Sequence, residues 1–275
     1  QAERQRPRLD ADASIRQARL AVERDQNGQF QLTGLQAGRR TAPRTTTLPE
    51  VLRWFSWLKQ LELSQIQLTY TDIPNPSLSG SYLLQQLELA FARQQWQAIA
   101  DIALPQQIGS NLRLSAKLEV DDNFAIQAWQ GSFNTEDMSL SPLLSDINLD
   151  GVQIESGLVS ASVNASQSQT GELNADMELI VSDALLSSDK SEEEFDQVAL
   201  DRLQGHFRFA SEQQNWELTG DSLLLQMAGE TWPATRFEVN KTADGVVSAS
   251  ADYLRLSDLT SIALLLNTAP DWLGT

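Results

Sequence analysis

The sequence predicts a mainly β protein: a long twisted antiparallel sheet built from successive hairpins, with few helices. Three observations carry this. From Trp96 to Val120 apolar and polar residues alternate in two runs around the turn Pro105-Gln-Gln-Ile-Gly109. Trp96, Ala98, Ala100, Ile102 and Leu104 share one side, then Leu112, Leu114, Ala116, Leu118 and Val120, while Arg113, Ser115, Lys117 and Glu119 take the other. That is the period of a half-buried strand, blurred in the first run by Ile99 and Ala103. The same phrase recurs down the chain, and no helix-rich segment of comparable length interrupts it.

Taken in order, residues 1–13 are polar and charged and read as a linker or an entering strand. Ala18, Leu20 and Val22 alternate up to the turn Asp25-Gln-Asn-Gly28, and Phe30 and Leu32 follow, so a hairpin is expected there. Thr47-Leu-Pro-Glu50 is a capping box with proline in the first turn, and Val51, Leu52, Phe55, Leu58 and Leu61 recur at helical spacing. A helix over 48–60 is therefore expected. Trp54 and Trp57 flank its apolar stripe, placed for packing or for a membrane interface.

Strands follow with Ile66, Leu68 and Tyr70, then Leu87, Leu89 and Phe91, then the central hairpin, then Phe124, Ile126 and Ala128. A short helical turn is expected at Pro142–Ser145. A second block opens near Gly151, giving sub-blocks of 14–145 and 150–267. Its alternating positions are Val159, Ala161 and Val163, then Leu173, Ala175, Met177, Leu179 and Val181. Beyond the acidic, solvated stretch Ser187–Glu194 come Phe207 and Phe209, Trp216 and Leu218, Leu223, Leu225 and Met227, Phe237 and Val239, and Val247, Ala249 and Ala251. Ser257 is placed to cap a closing helix over 258–266, with Leu259, Ile262, Ala263 and Leu266 as its stripe. The phrases at 94–104 and 213–225 both set a Trp at the head of a strand after a Gln-rich turn, a weak internal echo.

Composition bounds the function. The chain of 275 residues has no cysteine, which removes disulfides, thiolate catalysis and cysteine-ligated zinc. A net charge of −17 argues against nucleic acid as a partner. The charge is uneven: residues 1–60 hold 11 of the 20 Lys and Arg and 6 of the 37 Asp and Glu, a net of +5, leaving −22 on the other 215 residues. No apolar run approaches the ~20 residues of a membrane span. The chain begins with Gln and shows no leader-like segment, so it is expected to be a piece of something longer.

Most apparent sites dissolve on inspection. Asp146-Ile-Asn148-Leu-Asp150-Gly151 opens like a calcium loop, but the closing glutamate position is Gly157, so a turn rich in Asx residues is expected. His206 is the one histidine, on the side of its strand with Arg208, opposite Phe207 and Phe209, and no nucleophile elbow accompanies it. Asn164 and Asn240 head Asn-x-Ser/Thr triplets that carry no weight alone. No enzyme, cofactor or metal is expected. What remains is a series of amphipathic strands whose apolar side must meet a second sheet, a closed barrel or an apolar ligand.

The order of phrases resembles a known family. LPEVLRWFSWLKQL, QIQLTYTD and the run from LLQQLELAF to FNTEDMSLSPL are similar to the region after the membrane helix of YhdP-type proteins, in the AsmA-like superfamily. GLVSASVNAS, GELNADMELIVSDALL, LDRLQGHFRF, QNWELTGDSLLLQ and DYLRLSDLTSIALLL keep that order over most of residues 15–267.

The resemblance implies one periplasmic section of an elongated bridge. Its parent protein would be anchored in the inner membrane of a Gram-negative bacterium, and its sheet curled into an open hydrophobic groove carrying phospholipids toward the outer membrane. The candidate lining residues are Leu89, Phe91, Ala98, Ala100, Ile102, Leu112, Leu114, Ala116, Leu118, Phe124 and Ile126 in the first block. In the second they are Val159, Ala161, Val163, Leu173, Met177, Leu179, Phe207, Phe209, Leu225, Met227, Val247 and Ala249. The partners expected are phospholipid acyl chains, the anionic inner-membrane surface near the basic N-terminal end, and envelope proteins. Two alternatives belong to other classes. One is an assembly module that binds partners by strand addition; the other is a sandwich that binds carbohydrate through Trp96, Trp129 and Trp216.

Overall fold

The computed structural model describes residues 11–33, 58–144, 152–188, 197–258 and 260. The protein is mainly β, and among the described residues fifteen strands share one mixed sheet that does not close into a barrel. In chain order these are β1 (Ala11–Arg16), β2 (Arg19–Arg24), β3 (Phe30–Thr33), β4 (Leu58–Asp72), β5 (Gly80–Ala92), β6 (Gln95–Ala103), β7 (Asn111–Val120) and β8 (Ile126–Ser139). After the short helix α1 (Leu140–Leu144) come β9 (Val152–Gln167), β10 (Leu173–Ser188), β11 (Gln197–Glu212), β12 (Asn215–Met227), β13 (Glu230–Thr231), β14 (Thr235–Lys241) and β15 (Val247–Ala251). From β4 to β12 every strand lies beside its sequence neighbour, with β14 and β15 continuing beyond β12 and β2 and β3 beyond β4. The succession of hairpins expected from alternation is thus the architecture itself.

The exception to antiparallel pairing is at the start. β1 and β2 run parallel to the same strand, β4, one after the other: Ala13 faces Leu61 and Ile15 faces Leu63, then Leu20 faces Leu68 and Val22 faces Tyr70. Parallel pairing needs a connection of a dozen residues or more, and the stretch between β3 and β4 supplies it. Strand β4 also begins earlier than expected. Leu58 and Leu61, assigned to the stripe of a helix over 48–60, belong to β4, where Leu61 pairs with Leu89. The rest of that expected helix lies outside the described residues, as do Asp146–Gly151, most of Ser187–Glu194 and most of 258–266. Helical backbone begins at Leu256, one residue before the expected cap Ser257.

Turn chemistry follows one recipe three times. Asp25, Asp121 and Thr242 each accept at their carbonyl from the N–H three residues on and close the loop through their own N–H to the carbonyl four residues on. The third residue after each, Gly28, Phe124 and Gly245, is left-handed, at φ of 76°, 64° and 86°. The Asn27-Gly28 signal therefore marks a type I turn ended by a left-handed glycine. Asp25 and Asp121 add side-chain acceptors for the N–H groups two and four residues on.

The chain forms two compact units. One comprises Gln1–Leu104, Leu112–Ser132 and Ser166–Thr170; the other comprises Pro105–Asn111, Phe133–Ala165 and Gly171–Thr275. In the first, Phe91, Trp96 and Val120 form a buried cluster with Leu118 and Phe124 against it. In the second, Leu225, Met227 and Trp232 do so, with Val198, Leu200, Leu203 and Tyr253 packed around them.

Candidate functional site

Directly paired residues in a sheet project to the same side, so the register gives the composition of each face. In the first unit one side carries the rows Ala13–Leu61–Leu89–Ala98 and Ile15–Leu63–Leu87–Ala100. Phe91 faces Trp96 in the next row, with ring centroids 4.7 Å apart. Further along the same side lie Leu20–Leu68–Tyr82 and Ile66–Leu84–Ile102. The reverse side carries Ser14–Glu62–Glu88 and Arg16–Ser64–Gln86–Asp101, and Arg113 Nε donates to Asp101 Oδ1 at 2.6 Å.

Strict alternation could not produce those rows. In β4 the apolar positions are Leu61 and Leu63, then Ile66 and Leu68, a slip of one residue. The slip is absorbed at Gln65, whose φ is +54°, and in β5 between Leu84 and Gln86, so Ser64 pairs with Gln86 and Ile66 with Leu84. Gln17, at φ +57°, separates β1 from β2 beside it and donates to Ser64 O. Each extra residue is a bulge that returns the following side chains to the original face.

The second unit repeats the device. Ala175–Phe209–Leu218–Val239–Ala249 and Met177–Phe207–Gly220–Phe237–Ala251 cross five strands on one side. Val181–Leu203–Leu225 continues that side, and Ala184–Leu200–Met227 takes it up again beyond a bulge at Asp183 (φ +52°), which lies opposite Asp201. In β12, Ser222 (φ +56°) performs the same shift. Gly220 is required by packing: a Cβ there would lie 2.0 Å from Phe237 Cε1, so the ring covers the glycine and reaches Phe207, 6.0 Å away between centroids. The opposite side is a charge ladder in which His206 Nε2 lies 2.9 Å from Asp176 Oδ2. Arg208 there lies between Asp176 and Asp221, and Arg236 pairs with Asp221.

Of the expected lining residues, the register and alternation bring Leu89, Phe91, Ala98, Ala100, Ile102, Leu112, Leu114, Ala116, Leu118 and Phe124 to the apolar side of the first unit. Leu173, Met177, Leu179, Phe207, Phe209, Leu225, Met227, Val247 and Ala249 share the apolar side of the second. Val159, Ala161 and Val163 alternate with Ser160, whose hydroxyl meets Asp137. Ile126 falls on the other side. It is an even number of residues from Ser132, whose Oγ bonds Ser115 Oγ at 2.7 Å on the polar face, and it is 38% exposed.

Most of these apolar side chains are half-buried rather than enclosed. Phe91, Ala100, Val159, Leu225 and Met227 are buried, as is Trp96 at 5% exposed, whose indole N–H has no hydrogen-bond partner among the described residues. It is packed out of solvent among Phe91, Val120, Leu118 and Phe124, so it offers no platform to a sugar. Trp129 donates to Gln167 Oε1, and Trp216 stacks on Phe209 at 6.4 Å. The echo noted in the sequence is physical: β6 and β12 both carry Trp as second residue, after turns with left-handed Arg93 and Gln94, and Gln213.

Sequence reasoning missed a buried polar knot at the end of β4. Asp72, 1% exposed, accepts from Tyr70 Oη (2.7 Å), Arg24 Nη1 (3.3 Å) and Asn75 N–H (3.0 Å), and its own N–H donates to Ser79 Oγ (2.8 Å). Burial pulls its carboxyl upward, but the Tyr70 hydroxyl, the Asn75 amide and the Arg24 guanidinium outweigh it and hold the group below its ordinary value. Burial and the bond to this anion push the Tyr70 hydroxyl up to about 12. The only sequence signal was an Asp ending a strand before an Asn-Pro turn. No grouping of His, Asp and Glu among the described residues is arranged to hold a metal ion. No protein-family model, no curated protein and no solved structure matches the chain.

Proposed function

We propose that this protein is one periplasmic section of a bridge-like lipid carrier, its sheet offering an apolar face along which phospholipid acyl chains pass between the inner and outer membranes. One observation carries the reading: in each unit one side of the sheet is apolar row after row, yet beside buried residues such as Ile66, Phe91 and Leu225 most of its aliphatic side chains stay half-exposed, while charges occupy the reverse side.

Such a face loses free energy in water, and an acyl chain laid on it recovers roughly 0.8 kcal/mol for each methylene kept dry. Small and branched aliphatic side chains make no directional contacts, so a chain slides along them. A phosphate head group stays in solvent at the margin. The bulges at Gln65 and Asp183 support the same reading, because each bends its strand while keeping the apolar side continuous. The resemblance in segment order to YhdP-type proteins points to the same cargo and compartment.

Native mass spectrometry of the purified chain, with extraction and identification of bound lipid, tests the proposal. Phospholipid is expected to co-purify, and to be lost in Leu114→Asp/Leu118→Asp while the β-rich circular dichroism spectrum persists. A folded, lipid-free wild-type protein would overturn it and move the strand-adding assembly module ahead.

A further inference from the structure

Buried polar side chains in this sheet find partners. Thr135 Oγ1 donates to Asn111 O at 2.9 Å, Thr235 Oγ1 to Pro233 O at 2.7 Å and Trp232 Nε1 to Asp258 Oδ2 at 2.6 Å. Among the described residues Trp96 Nε1 is the exception, closed off from solvent with no acceptor. The indole plane is tilted only 32° from the Phe91 ring beside it, so the in-plane N–H does not point at that ring's face. A donor stranded in this way has given up water for nothing.

A second cost lies in the same cluster. Phe124, packed against Phe91, Trp96 and Val120, occupies the left-handed position that the two sister turns give to Gly28 and Gly245. An unpaired donor beside a strained turn marks a place that a ligand completes.

The position suits one kind of ligand. Trp96 stands at the margin of the apolar side, two residues after Gln94 of the β5–β6 turn. Inward along β6 the same side carries Ala98, Ala100 and Ile102, about 20 Å of strand in all. An acyl chain spans roughly 15 Å, half the hydrocarbon core of a bilayer.

We propose that Trp96 is the seat of an acyl ester. Its N–H donates to the ester carbonyl of a lipid once the Phe124 turn yields, with the hydrocarbon tail laid along Ala98, Ala100 and Ile102 and the head group outside at the Arg93–Gln94 turn. The inference rests on the lipid-carrier reading and names the part of the lipid that the first unit recognises. One neutral donor among hydrocarbon matches one neutral acceptor on an apolar chain. A phosphate would lose its water against a single N–H, and a sugar would leave its hydroxyls unmatched. Movement of Phe124 relieves the backbone strain and frees the donor together, so lipid binding and turn opening are coupled.

Diheptanoyl phosphatidylcholine and its diether analogue, which lacks both carbonyls, test this on the chain labelled at its indole nitrogens for NMR. The Trp96 indole proton, assigned by its loss in Trp96→Phe, is expected to move downfield with the ester lipid and to stay in place with the ether. The ester lipid is expected to bind about tenfold more tightly than the ether. Trp96→Phe is expected to abolish that preference while keeping affinity for the ether lipid and the circular dichroism spectrum. Phe124→Gly, which gives the turn the residue of its two sisters, is expected to tighten ester binding several-fold. Equal affinity for the two lipids, or an indole signal unmoved by the ester, would overturn this site while leaving the carrier reading in place. Binding of neither lipid would overturn both. Weaker ester binding in Phe124→Gly would make that ring a wall of the site and overturn the opening step.

Discussion

Asp72 shows how one side chain ties a turn to a sheet. Its carboxylate draws together β2 through Arg24, β4 through Tyr70, and the turn ahead of β5 through Asn75. Its carboxyl is held below the ordinary aspartate value of about 3.9, so its stabilisation is full above that pH and is lost as the pH falls through the lower folded value. Asp72→Asn is expected to cost about 2–4 kcal/mol at neutral pH and much less in acid, where the wild type loses the same contribution. Urea unfolding across a pH series reads this difference. The alkaline limb has the opposite sign: Tyr70 contributes fully below its ordinary pKa and less as the pH rises toward about 12. Phe124 is the other residue out of the ordinary, a bulky side chain at a left-handed turn position usually given to glycine. Its ring lies 6.1 Å from Phe91, so packing sustains a backbone that sterics disfavour.

At the scale of the strand, the bulges decide what each face is made of. A strand of fifteen residues such as β4 can keep one apolar side only if its alternation and its backbone slip together. Gln65 is where both do, in a conformation that glycine adopts freely and β-branched residues resist. Gln65→Gly is expected to be neutral or to stabilise by up to about 1 kcal/mol, and Gln65→Val to destabilise by about 1–2 kcal/mol, measured as shifts in Tm. The reverse ordering would mean that the residue is not held left-handed in solution. Gly157 carries a related constraint in β9: at φ +136°, with Leu140 Cδ1 2.9 Å from where a Cβ would stand, it lets α1 rest on the strand.

At the scale of the whole molecule, the distribution of charge sets how the chain meets its surroundings. Its first 60 residues are basic and the remainder strongly acidic. In the proposed role the basic end faces the anionic inner-membrane surface, where each Lys or Arg contributes about 1 kcal/mol within a Debye length. Arg39→Glu/Arg40→Glu/Arg44→Glu is expected to weaken binding to liposomes containing anionic lipid by more than tenfold at low salt, read by co-sedimentation. Unchanged binding would remove the membrane-facing role of that end while leaving the apolar faces untouched.

Much of this protein was determined by its sequence alone. Period-two alternation and polar turns specified the hairpins, their order and which residues share a side, because side-chain direction in a strand is a local property. The phase slip from Leu63 to Ile66 went unread, because the helical spacing of Leu58 and Leu61 drew them into a helix and the strand was begun at Ile66. Ile126 was misplaced because apolar residues also occur on the polar side, and only its parity with Ser132, which meets Ser115, shows which side it takes. Two features were decided only by the tertiary structure: the parallel docking of β1 and β2 on β4, and the convergence of Arg24, Tyr70 and Asn75 on Asp72. Each depends on which distant segment lies alongside, and alternation is indifferent to the identity of a neighbour.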